Sequence, residues 1–159
     1  MARYSFLTTW AFGPPATIER VFDALHDAQS YPSWWKGVLA VDRLEQGDAD
    51  GVGALDRYVW KSKLPYELEF ESRTTKVERP HVMEGQAYGE LEGTGRWRLW
   101  EGRDGVCVTY EWNVGTTQPW MNLLAPFAKP VFEWNHDYVM RNGGEGLSRL
   151  LGVPLLLSD

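Results

Sequence analysis

His136 is the one ionisable side chain on an otherwise apolar helical stripe, which makes it the first residue here whose placement suggests chemistry. At about 100° per residue, residues 131–151 separate into two faces. Glu133, Asp137, Arg141, Glu145 and Arg149 recur every four residues and form a charged face. Asp137 with Arg141, and Glu145 with Arg149, stand in the acid-first i,i+4 order that helices favour. Phe132, His136, Val139, Met140, Gly143, Leu147 and Leu150 lie opposite. Trp134 and Tyr138 fall on or near the charged face and are expected to lean outward. A histidine on the apolar stripe has three readings. It is a core side chain bonded to a strand or to water, a polar contact for a bound molecule, or an acid–base group near neutral pH.

Other chemistries find little support in the residue types. His26, His81 and His136 lack the short ligand spacings of a zinc site, so no metal is expected. Residues 89–95 hold three glycines but open no helix, which argues against a phosphate-cradling loop, and no cofactor is expected. No nucleophile-elbow pattern occurs. Cys107, the single cysteine, sits between Val106 and Val108 and reads as a small packed side chain. The polar groups that could act beside His136 are the phenols of Tyr58, Tyr66, Tyr88 and Tyr110, and Arg57.

Nine Trp, seven Tyr and six Phe in 159 residues are more rigid bulk than a core of this size needs. Such rings can line a space without filling it, so the excess points to a pocket. A net charge of -6 disfavours steering toward nucleic acid, and no Lys/Arg cluster offsets it. Residues 1–10 lack the basic start and apolar run of a signal peptide, and no apolar stretch approaches the ~20 residues of a spanning helix. A cytoplasmic address is therefore expected, with no membrane-spanning segment.

The elements that would carry these side chains follow from periodicity. Tyr4, Phe6, Thr8, Trp10 and Phe12 alternate as a strand. Gly13-Pro14-Pro15 ends it, and Thr17 can cap a helix burying Ile18, Val21, Phe22 and Leu25. Tyr31 to Trp35 reads as a tight turn bearing two adjacent indoles. Strands are expected at 38–44, 53–60, 66–71, 81–91, 97–99 and 106–114. Six consecutive strands at this spacing form an antiparallel meander. In the third, Tyr66, Leu68 and Phe70 alternate with Glu67, Glu69 and Glu71, which puts the acids toward water. The inward sets of 53–60 and 81–91 are ambiguous, because both alternations contain apolar groups. Residues 119–130 read as an apolar connector, after which a helix runs to about Leu151, stopped by Gly152 and Pro154. Gly143, costly in a helix by about 1 kcal/mol, is expected to admit a close neighbour, either the sheet or a ligand.

This order of elements, with Trp34-Trp35, residues 60–66, 89–97, Tyr110-Glu111-Trp112, Pro119-Trp120-Met121 and Trp134-Asn135-His136-Asp137, resembles the START-like (SRPBCC) superfamily. Within it the chain is similar to the polyketide cyclase/dehydrase and lipid transport group. The resemblance implies an α+β helix-grip fold over residues 1–159, one domain in which a curved antiparallel sheet of six to seven strands surrounds a long C-terminal helix. It also implies an elongated cavity between sheet and helix for an apolar or aromatic molecule. The expected strand walls are Tyr66, Leu68 and Phe70, then Trp97 with Leu99, then Val108, Tyr110 and Trp112. The helix would add Phe132, His136, Met140 and Gly143, with Trp34, Trp35, Trp120 and Met121 near one mouth.

The expected function is binding of a hydrophobic small molecule, a lipid or polyketide-like aromatic. The alternative is a cyclase or dehydratase using His136 for proton transfer. Residues 120–127 and 153–157 could instead form an interface with a partner, including a homodimer.

Overall fold

Alternation along β1 (Arg3–Phe12) buries Tyr4, Thr8, Trp10 and Phe12 on one side of the strand, and that side faces the interior of a curved sheet. The structure, a computed structural model, describes residues 3–159 and every side chain among them except those of Ala125 and Ala128. Met1 and Ala2, the start of the expected 1–159 unit, lie outside the described residues.

The sheet has eight strands. After β1 come β2 (Val38–Glu45), β3 (Leu55–Lys61), β4 (Glu67–Glu78), β5 (Val82–Gly89), β6 (Leu91–Gly102) and β7 (Gly105–Thr116). They pair antiparallel as a meander, and β1 closes against β7 with Trp10 opposite Val108 and Phe6 opposite Trp112. The eighth strand, β8 (Leu155–Ser158), lies on the free side of β1 along Trp10 to Phe12. Six to seven strands were expected, so this edge strand is an addition. Its Leu155-Leu156-Leu157 run does not alternate, which hid it from periodicity.

The expected strand 81–91 takes in the whole of β5 and the first residue of β6. Gly89 adopts a φ of +108°, which only glycine takes readily, and the chain turns there. β6 then runs straight through Gly93, whose added Cβ would collide with the Asn113 carbonyl. Those glycines therefore bend the strand rather than interrupt it.

Thr17 caps α1 (Ile18–His26), its hydroxyl accepting from the Arg20 N–H at 3.3 Å, while the Ile18 N–H donates to Glu101 at 2.6 Å. Ile18, Val21, Phe22 and Leu25 are buried against the sheet, in one core with Trp10, Leu99 and Val108. A 3-10 turn (Ala28–Ser30) and the single-turn α2 (Tyr31–Trp34) follow.

The last helix, α3 (Pro119–Leu151), differs most from expectation. The segment read as a connector is its first third, because the helix continues past Pro126 and Pro130. Each proline lacks the N–H for one intrahelical bond, a cost of about 3 kcal/mol in an isolated helix. Met121 and Phe132 pack inward on either side of them and hold the helix in register, so packing overrides propensity. At the far end Gly152 closes the helix in the left-handed conformation, with φ +65°. Leu150, expected on the gripped face, is 49% exposed, because the short α2 turn leaves an open cleft beside it.

Candidate functional site

Three glycines in the last third of α3 let two indoles and one backbone carbonyl lie directly on the helix. A Cβ on Gly143 would sit 2.5 Å from the Trp35 ring, and one on Gly144 would sit 3.0 Å from Trp10. At Gly146 it would collide with the Trp34 carbonyl. Trp35 uses this closeness to donate its Nε1–H to the Val139 carbonyl at 2.9 Å. The neighbour that Gly143 admits is therefore the Trp35 indole just after α2, and Gly143 is covered by that ring instead of facing the cavity.

With α3 held there, the sheet and the helix enclose a cavity of about 260 Å³. That is more than ten times the roughly 10–15 Å³ one water needs. Of the expected wall residues, Trp35, Tyr66, Leu68 and Phe70 line it, as do Trp97, Tyr110 and Trp112 from β6 and β7 and Phe132, His136 and Met140 from α3. Trp34, Trp120 and Gly143 do not. Trp34 is buried beneath α3 with its Nε1–H on Ser30 Oγ at 3.0 Å, and Trp120 is 44% exposed, its ring set edge-on to Tyr66 at 5.1 Å. Leu99 and Val108 point to the same side but are consumed by the packing of α1.

The two ambiguous strands resolve through register. Tyr58 pairs with Phe70 and Trp60 with Leu68, which fixes the even-numbered residues of β3 as inward. Met83 and Gly85 face in from β5, while Tyr88 is 45% exposed and Arg57 lies outside, paired with Asp42 and Glu69. Tyr58 and Phe70 stack at 5.4 Å, Phe70 meets Trp112 at 5.6 Å, and Trp97 and Tyr110 approach to 4.2 Å. The result is a continuous aromatic wall.

Among its polar lining residues, two groups stand out. The first was not expected from the sequence. Arg43 of β2 grips the buried Asp56 of β3 in a bidentate pair, at 2.5 Å and 3.4 Å. Both line the cavity near Tyr58, whose phenol is pushed well up by burial and then by the Asp56 charge. The available signal was alternation: Asp56 falls in step with Tyr58 and Trp60.

The second group centres on His136. Its ring lies flat on Phe6 at 4.0 Å and 11°, and burial pushes its pKa down to about 4, so the imidazole is neutral at pH 7. Neither ring nitrogen has a hydrogen-bond partner among the described residues, and the Tyr4 hydroxyl and Trp60 Nε1 nearby in the lining are likewise unpartnered. Beside them Ser62 donates to the Asn135 side-chain oxygen. Asp56 and Ser62 are six residues apart, about 20 Å along an extended chain, so the two polar groups mark separate regions of one elongated space.

The tyrosines in and beside the wall yield a direct check. Burial raises the phenols of Tyr31, Tyr58 and Tyr110 strongly, and pushes Tyr66 up to about 12. After a rapid jump to about pH 11, ultraviolet absorbance should register ionisation of no more than three of the seven tyrosines. The unfolded chain should ionise nearly all of them. Stability should accordingly fall as pH rises above about 10, where only the unfolded state gives up these protons.

Comparison with known proteins follows the same geometry. The sequence model described as "Polyketide cyclase / dehydrase and lipid transport" matches residues 13–150. No curated protein matches the sequence. Among solved structures, a START superfamily protein from Mycobacterium smegmatis superposes with a TM-score of 0.70 at 13% identity, covering 93% of this chain and 98% of that one. The Zhui aromatase/cyclase from Streptomyces sp. R1128 gives 0.68 at 14% identity, covering 94% and 96%. The di-domain aromatase/cyclase BexL of the BE-7585A pathway gives 0.68 at 18% identity, covering 91% of this chain and 50% of its own. The chain thus spans about half the length of that di-domain relative. At these identities the structures establish the shared helix-grip fold. With its family model matched across residues 13–150, the chain belongs to the polyketide cyclase/dehydrase and lipid transport family.

Proposed function

We propose that the whole chain acts as one START-like unit that binds a hydrophobic, ring-bearing small molecule between the sheet and α3, and that His136 makes a polar contact with it. One observation carries this reading. An aromatic-walled cavity of about 260 Å³ holds an imidazole with two unpartnered nitrogens. A buried polar atom without a partner costs roughly 1–3 kcal/mol, and a ligand that supplies the partner recovers it. Neutral imidazole offers one donor and one acceptor, the Tyr4 hydroxyl offers both, and Trp60 Nε1 offers a donor. Those groups suit a flat molecule carrying hydroxyl or keto oxygens better than a plain hydrocarbon. A polyketide-like aromatic has that character, and family membership is consistent with it.

A second reading is a cyclase or dehydratase in which His136 moves a proton. Two observations favour it: aromatase/cyclases share the fold, and tyrosine phenols share the wall with His136. Its weakness is the pKa of about 4, which makes the imidazole available at neutral pH but feebly basic. Binding without turnover asks less of the site.

The test is native mass spectrometry of the purified chain combined with a thermal-shift panel of lipids and hydroxylated polycyclic aromatics. A co-purified ligand, or a saturable rise in melting temperature with the aromatics, is expected. Absence of both overturns the binding reading. Turnover of a poly-β-ketone analogue that is lost in His136→Ala would favour the second.

A further inference from the structure

Between Pro119 and Trp134, α3 is apolar on two faces, and only one of them meets the protein. Met121 and Phe132 turn inward to the cavity. On the other side stand Trp120, Leu123, Leu124, Phe127, Val131 and Trp134, spaced so that all six share one stripe. Each is at least 44% exposed, and Leu123 and Phe127 reach 78% and 83%. From Trp120 to Trp134 the stripe runs fourteen residues, about 21 Å, with an indole at each end.

Charge at this face departs from the acidic average of the molecule. The sequence has only five lysines among residues totalling a net charge of -6. Lys63 lies over the rings of Trp134 and Tyr138, at 5.6 Å and 4.7 Å. Lys36 adjoins Tyr138 from the α2 side. Lys129, Glu133 and Asp137 fall on the third, polar face of the helix. The stripe is also continuous with the cavity, because Trp120 packs on Tyr66, which lines it.

We propose that this face docks on a lipid bilayer surface, with the apolar stripe at the headgroup boundary and Lys36 and Lys63 near lipid phosphates. Docking lays the Tyr66 end of the cavity against the membrane, so that an apolar ligand can pass between the two without crossing water. The latter point rests on the cavity being a ligand site; the docking itself does not. Helices of this kind lie in the interface plane, with aromatic and aliphatic residues below and lysines around them. No helix among the described residues is long and apolar enough to cross a membrane, so the contact is peripheral. A second copy of the chain fits the face less well. A stripe one helix wide covers a few hundred Å², against about 800 Å² per partner in a stable interface. A two-fold contact would also bring like-charged lysines together.

The test is co-sedimentation of the full chain with phosphatidylcholine vesicles, with and without phosphatidylglycerol. The wild type should sediment with the mixed vesicles and less so at high salt. The exposed double variant Leu123→Ser, Phe127→Ser should bind at least about tenfold more weakly at an unchanged melting temperature. Failure of the wild type to sediment, or equal binding by the variant, overturns the proposal. So does a wild-type dimer that the variant dissolves without any vesicle binding. Quenching of tryptophan fluorescence by a hydroxylated aromatic in vesicle-free buffer separates this from the cavity reading. Ligand binding without vesicle binding defeats docking alone, and vesicle binding without ligand binding defeats only the cavity.

Discussion

Replacing His136 with phenylalanine should make the ligand-free protein more stable and its ligand complex weaker. Phenylalanine keeps the flat ring stacked on Phe6 and removes two buried nitrogens that have no partner among the described residues. The expected gain is on the order of 1–2 kcal/mol at pH 7, read as a higher urea midpoint. A histidine retained only for packing would not give opposite signs in the two measurements. The same substitution should remove a pH dependence. Folded His136 titrates near 4 and the unfolded side chain near 6.5. Between those values the unfolded state binds the extra proton. Stability contributed by the neutral ring is therefore complete above about pH 7 and lost progressively as pH falls through 6.5 toward 4, by up to about 3 kcal/mol. The urea midpoint of His136→Phe should change little between about pH 7.5 and pH 5 while that of the wild type falls, so the gap between them widens. Parallel profiles would show that the imidazole is not the buried neutral group described.

Within α3 the largest loss of stability from one methyl group is expected at Gly146. In an exposed helix, Gly→Ala gains about 1 kcal/mol. Here the new Cβ would collide with the backbone carbonyl of Trp34, which cannot rotate away. Gly146→Ala should lose about 3 kcal/mol, a fall of roughly 6–12 °C in melting temperature for a chain of this size. Gly143→Ala should cost less, since it meets the movable Trp35 ring at 2.5 Å, and Gly144→Ala least, with Trp10 at 3.0 Å. Because Trp35 also lines the cavity, Gly143→Ala should alter ligand affinity as well. Calorimetry of the three variants checks the order. A gain at Gly146 would mean that α3 does not lie on the α2 turn as described.

These two regions also show how far the sequence could be read. Alternation placed β1 and the inward faces of β4, β6 and β7, because one face of each is polar, and Thr17 with the Ile18, Val21, Phe22, Leu25 stripe placed α1. The wheel over 131–151 put Phe132, His136 and Met140 toward the cavity, and Trp134 and Tyr138 to the outside. Where both faces of an element are apolar, periodicity carries no information. That hid the first third of α3, whose prolines mimic a linker, and it hid β8. The partner of Gly143 was illegible for another reason. Which indole lies on a glycine depends on how α2 folds back over a helix more than a hundred residues later. The Arg43–Asp56 pair needed the β2–β3 register, which shifts at irregularities that no pattern predicts.

The proposed ligand is an aromatic molecule held in the cavity by a polar contact at His136. Fluorescence titration with a hydroxylated polycyclic aromatic and its unsubstituted parent, on wild type and His136→Phe, tests it most directly. Saturable quenching by both compounds is expected, with a wild-type preference for the hydroxylated one of about tenfold, the value of one buried hydrogen bond. That preference should vanish in the variant. No saturable quenching, or the same preference in both proteins, would contradict it.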